Sequence, residues 1–115
     1  DLAVMGDRIR LEQILVNILQ NAQDALADRP DPQIVVTLRQ TAETVTLSIA
    51  DNGPGLSPEA AAKLFIPFTT TKPDGLGLGL VIAHDIARDF GGSLRADPPA
   101  PGQGATFHLD LRRAP

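Results

Sequence analysis

The stretch IVVTLRQTAETVTLSIADNGPGL, residues 34–56, holds two runs rich in β-branched residues, separated only by Thr-Ala-Glu. Such runs favour strands, and a three-residue break between them predicts a hairpin. Side chains alternate along a strand, so Val45, Leu47, Ile49 and Asp51 share one face. That puts a carboxylate on the apolar side, at the strand's end, directly before Asn-Gly-Pro-Gly. A buried, unpaired carboxylate is expensive. A donor such as the exocyclic amine of a purine would justify it. An Asp capping the turn that Asp-Asn-Gly sequences favour would justify it equally well. Taken alone, the stretch leaves both readings open.

Outward from the hairpin, helices and strands follow in a simple order. Upstream, residues 7–27 repeat apolar side chains at three and four, from Leu11 through Ile14, Leu15 and Ile18 to Leu26. Two prolines in DRPDPQ end that helix. Before it, LAVMGD reads as a strand end and a turn, so early that the chain is expected to begin inside a larger protein. Downstream, SPEAAAKLF is a short helix with Ser57 as N-cap and Pro58 in its first turn. LVIAHDIARDF is a third helix, stopped by Gly91-Gly92. A strand, the Pro/Gly-rich segment PPAPGQG, read as a surface loop, and a last strand close the chain. The expected fold is a two-layer α/β sandwich (α+β): a mixed, mostly antiparallel sheet covered on one face by about three helices. All of residues 1–115 are expected to form one domain.

Composition narrows the chemistry. The chain has no cysteine, which excludes disulfides, thiolate nucleophiles and Cys-ligated zinc. Its net charge of −4 argues against nucleic acid as a partner. No apolar run approaches a membrane span, so no direct membrane contact is expected. If the ligand is a nucleotide, backbone N–H groups and a metal ion must supply much of the neutralisation.

Two further features bear on a ligand. At 100° per residue, Arg10, Gln13, Asn17, Asn21, Asp24 and Asp28 form one stripe of the first helix beside its apolar face. An Asn carbonyl there suits Mg²⁺ alongside phosphates and water, although a solvated helix face has the same pattern. GLGLGL, residues 75–80, opens the third helix, so free N–H groups and the helix dipole face an anion. Its leucines argue against a flexible linker. Its spacing is neither the dinucleotide G-x-G-x-x-G nor a P-loop.

In order, DRIRLEQILVNILQNAQDAL, DNGPGL, LFIPFTTTK and GLGLGL resemble the asparagine, first glycine, phenylalanine and second glycine boxes of the sensor histidine kinase ATP-binding (catalytic) domain. That domain belongs to the wider family shared with gyrase, mismatch-repair and heat-shock chaperone ATPases. PFTTTKP, GLGLGL and IARDFGGSLRA are most similar to the nitrogen- and C4-dicarboxylate-sensing branch.

The resemblance implies ATP and Mg²⁺ as ligands. Asn21 would hold Mg²⁺ against the phosphates, with Asn17 assisting from one turn earlier. Asp51 would accept from the adenine amine, with Gly53 and Gly55 beside the ring. Residues 56–74 would form a mobile ATP lid. Gly75, Gly77 and Gly79 would line the triphosphate, and Leu80 would start the helix beneath. Lys72 is either the lid cation nearest the phosphates or a solvated loop lysine.

The water-activating relatives resemble one another in a glutamate at position 17; here it is Asn17, and an amide is no general base. The resemblance therefore implies γ-phosphate transfer to a histidine on a separate dimerisation and phosphoacceptor domain. A response regulator receiver domain would take the phosphoryl group next. The parent is expected to be a homodimer anchored in the bacterial inner membrane, with this domain cytoplasmic. Neither His84 nor His108 is a candidate acceptor, so this fragment alone is not expected to autophosphorylate. Asp24, where many relatives keep a basic residue, and the short segment between Lys72 and Gly75 depart from the pattern. They keep open a degenerate module used only for protein contacts; a water-activating ATPase is the third reading.

Overall fold

In the computed structural model, residues 4, 6–67, 79–100 and 102–114 are described. They form α1 (Arg8–Ala25), β1 (Ile34–Gln40), β2 (Thr44–Asp51), α2 (Pro58–Ala62), α3 (Gly79–Asp89), β3 (Ser93–Ala96) and β4 (Thr106–Arg112). The four strands make one sheet in the order β1-β2-β4-β3. Every pairing is antiparallel, so the parallel component of the expected mixed sheet is not found among the described residues. Val4 adds an isolated antiparallel bridge to Arg113 beyond the end of β4.

The hairpin closes as its sequence predicts. Thr41 Oγ1 accepts from the backbone of Glu43 and Thr44, and Val36 pairs with Ile49 across β1 and β2. Helix ends are equally local in origin. The Asp7 carboxylate caps α1 by accepting from Ile9 N–H at 3.1 Å, and Ser57 Oγ caps α2 at Ala60 N–H. Gly91, at φ +79°, ends α3 in the left-handed conformation that a side chain resists. α2 is only five residues long and buries none of them, so α1 and α3 supply most of the helical layer.

The core lies between these two helices and the β2-β4-β3 part of the sheet. Ile14, Ile18, Ala83 and Ala87 meet Ile49, Leu94, Phe107, Leu109 and Leu111 there. β1 overhangs the helices: Val36 and Leu38 face the helical side yet stay exposed. A cleft of about 370 Å³ at the start of β1, lined by Gln23, Leu26, Pro32 and Ile34, lies across α1 from its asparagine stripe.

The opposite sheet face is polar and cross-linked. Asp110 accepts from Arg95 Nε at 2.9 Å, Thr46 Oγ1 at 2.7 Å and Ser93 Oγ at 3.1 Å. Burial alone pushes the Asp110 carboxyl up, but these three hydrogen bonds outweigh it and hold it below the ordinary carboxylate range. A depressed carboxyl stabilises the fold above its unfolded pKa and loses that contribution as pH falls through the folded value. Wild type is therefore expected to exceed Asp110→Asn in urea midpoint at neutral pH. The gap should narrow as pH falls below about 4.

Candidate functional site

The site is built along α1. Asn17, Asn21 and Ala25 follow one another at successive turns of its edge, a span of about 12 Å from first to last. At the Ala25 end stands the close of β2. Asp51 is buried, and its Oδ1 accepts from Gly53 N–H at 2.9 Å and from Ala105 N–H at 3.2 Å. No buried side-chain oxygen or nitrogen lacks a partner among the described residues. Oδ2 accepts from neither amide, so it is the oxygen left open at the surface. The turn-capping reading of Asp51 is thus seen directly, through Oδ1.

Three glycines allow this packing. A Cβ on Gly53 would stand 3.1 Å from the Ala25 carbonyl oxygen and 3.0 Å from Asp51 Oδ1. Gly55 has φ +80° and sits against the Gln103 carbonyl. Gly104 lies so close to the Asp51 carbonyl that no Cβ fits between them. The backbone is closed here too, by Asp51 N–H to the Ala105 carbonyl at 2.9 Å. PPAPGQG is exposed over residues 98–100, 102 and 103, as expected of a surface loop, and its last residue, Gly104, with Ala105 packs against Asp51. The available signal was a glycine placed two residues before the last strand.

At the other end, Asn17 Nδ2 donates to the Gly79 carbonyl at 2.9 Å, and Asn17 Oδ1 accepts from Gln13 Nε2 at 2.9 Å. The asparagine helix is thereby tied to the first residue of α3. A Cβ on Gly79 would meet nothing within 4 Å among the described residues. Leu80 follows and packs against the core, as expected. Asn21 is half-buried between the two ends and engaged in an interaction of its own. Lys72, Gly75 and Gly77, with the lid residues from 68 onward, lie outside the described residues.

Other side chains take positions that limit the chemistry. Glu12 pairs with Arg8 at 3.1 Å, on the far side of α1 from Asn17. His84 stacks on Phe65, with ring centroids 4.7 Å apart. His108 bonds to Ser48 Oγ at 2.7 Å and to Asp97 Oδ1 at 2.8 Å on the open sheet face. The described residues contain no cluster of three or more His, Cys, Asp or Glu side chains able to hold a metal. A cation in this site would have to share neutral amide oxygens with an anionic ligand.

The described residues thus place a buried carboxylate at the end of β2 and an asparagine helix tied to the first residue of α3 on one two-layer sandwich. Residues 6–115 match the histidine kinase-, DNA gyrase B- and HSP90-like ATPase family, and the chain belongs to it. Its relatives are sensor histidine kinases. It is 44% identical over 113 residues, 98% of its length, to the C4-dicarboxylate transport sensor protein DctB of Rhizobium meliloti. It is 37% identical over 109 residues, 83% of its length, to the sensory histidine kinase/phosphatase NtrB of Rhizobium leguminosarum bv. phaseoli. The chain spans 18% of that DctB and 28% of that NtrB.

Among solved structures, the mycobacterial sensor histidine kinase MprB superposes with a TM-score of 0.84 at 32% identity, covering 97% of this chain and 78% of that one. Full-length ShkA in complex with AMPPNP superposes at 0.78 and 32% identity, covering 99% of this chain and 24% of that one. The chain is thus a histidine kinase-type catalytic domain.

Proposed function

We infer that this domain binds Mg-ATP and donates the γ-phosphate to a histidine on a separate dimerisation and phosphoacceptor domain. The observation that carries this reading is the split use of Asp51. Oδ1 is saturated by two backbone amides, and Oδ2 is left at the end of an apolar strand. A neutral turn cap needs no such burial, whereas an acceptor for the adenine amine does. Gly53 and Gly55 are proposed to lie beside the ring, with the phosphates running along α1 toward Gly79 and the start of α3. Lys72, Gly75 and Gly77 are proposed to complete the phosphate seat, with residues 56–74 as its lid.

Asn21 fits the metal expected with ATP, because its amide oxygen is neutral and lies one turn from Asn17, which would assist. Asn21 would hold Mg²⁺ together with the phosphates, and the ion would neutralise charge during transfer. Asn17 ties the helices through Gly79 and cannot take a proton from water, and Glu12 is held away by Arg8. Hydrolysis is therefore slow, and the phosphoryl group is kept for a protein acceptor. The parent is proposed to be a homodimeric, membrane-anchored sensor with this domain in the cytoplasm. Its phosphoryl group would pass to a response regulator receiver domain. The similarity to DctB supports C4-dicarboxylate sensing.

Calorimetry with a non-hydrolysable ATP analogue tests the metal seat. Asn21→Ala is expected to weaken Mg²⁺-dependent binding about tenfold, which corresponds to about 1.4 kcal/mol. Binding unchanged by the substitution would count against it. No nucleotide-dependent thermal shift at all would favour a module used only for protein contacts. Appreciable steady-state phosphate release would favour a water-activating ATPase.

A further inference from the structure

Arg29 sits in the connector between α1 and β1, within the proline-rich segment that ends the helix. Its guanidinium turns back onto the glycine turn after β2. Nε donates to the Asn52 carbonyl at 2.5 Å and Nη2 to the Gly53 carbonyl at 3.3 Å. A trans peptide is a rigid plane whose C=O and N–H point in opposite directions. The Asn52 carbonyl held by Arg29 therefore belongs to the same plane as the Gly53 N–H, and that N–H donates to Asp51 Oδ1. One peptide has a cation at one end and the carboxylate at the other. Hydrogen bonds chained in this way polarise and strengthen one another.

The connector is fastened to the same turn by a second residue. Asn52 Oδ1 accepts from Gln33 N–H at 2.8 Å, its Nδ2 donates to the Asp31 carbonyl at 2.7 Å, and its own N–H reaches the Gln33 carbonyl at 3.2 Å. The turn is thus braced by the connector through two residues, Arg29 and Asn52.

We propose that Arg29 is a positioning residue for base recognition. By fixing the Asn52–Gly53 peptide it holds Asp51 Oδ1 and thereby presents Oδ2 to the exocyclic amine of adenine. This rests on the reading of Asp51 as the adenine acceptor. A merely structural Arg29 would, when removed, weaken all purine nucleotides alike. A positioning Arg29 affects only those that carry the amine.

The test compares ATP with purine riboside 5′-triphosphate, which lacks the amine, by calorimetry with Mg²⁺ on the whole chain. Wild type, Arg29→Ala, Arg29→Lys and Asp51→Ala are titrated, and the Gly53 amide proton is followed by NMR without nucleotide. Arg29→Ala is expected to cut the preference for ATP about three- to tenfold, the weight of one hydrogen bond. It should leave the analogue's affinity within about twofold and shift the Gly53 resonance, while Arg29→Lys restores part of the preference. A preference that Asp51→Ala abolishes and Arg29→Ala keeps overturns this proposal alone. A wild type with no preference overturns the reading of Asp51, and this proposal with it.

Discussion

Gly104→Ala is expected to destabilise the domain by about 3 kcal/mol or more, although it adds a single methyl group. The new Cβ would fall on the Asp51 carbonyl, which is backbone and cannot swing aside. Relief requires the last loop to separate from the end of β2. That breaks Asp51 N–H to Ala105 O and stretches Ala105 N–H to Asp51 Oδ1. Two buried hydrogen bonds at about 1–3 kcal/mol each, together with overpacking, set the scale. For a domain of this size the melting temperature should fall by about 12 °C or more. Gly79→Ala, whose Cβ meets nothing within 4 Å among the described residues, is the control and should stay within about 0.5 kcal/mol. Calorimetric melting of the two variants checks the contrast.

Phe107→Ala is the second large effect, at about 3–5 kcal/mol. Phe107 is 1% exposed, lies opposite Ile49 on β2 and Ala96 on β3, and is among the largest fully buried side chains of the core. Its loss leaves a cavity beneath both helices that rigid sheet neighbours cannot fill. Domains are stable by only about 5–15 kcal/mol, so the variant should have a much lower urea midpoint with an unchanged slope. A slope that falls with the midpoint would mean loss of two-state unfolding rather than a cavity.

These two positions also show what can be read from sequence. Phe107 lies in the run expected as the last strand, where alternation puts it on the face opposite to His108. The same parity placed Asp51 on the buried side, and the helical wheel placed Asn17 and Asn21 together. The cap at Ser57 and the stop at Gly91 are local rules, and they held. Gly104 was not legible: its partner Asp51 is more than fifty residues away, and composition marks a turn without saying what lies against it. Arg29 was hidden for the same reason, since the prolines around it explain the helix end fully. From sequence His108 is only excluded as a candidate acceptor. The bonds to Ser48 and Asp97 come from a register that no single strand encodes. The parallel component expected in the sheet rested on element order alone. Order does not fix neighbours, and the β4 strand entered between β2 and β3.

The account turns on Asp51 as the acceptor for adenine. Calorimetric titration of wild type and Asp51→Ala with a non-hydrolysable ATP analogue and Mg²⁺ tests it most directly. Circular dichroism should accompany it, to confirm that the variant, which releases the Gly53 and Ala105 amides, is folded. Binding to wild type and its loss by at least about thirtyfold in the folded variant, near 2 kcal/mol, is the predicted result. Equal binding by both proteins would contradict it.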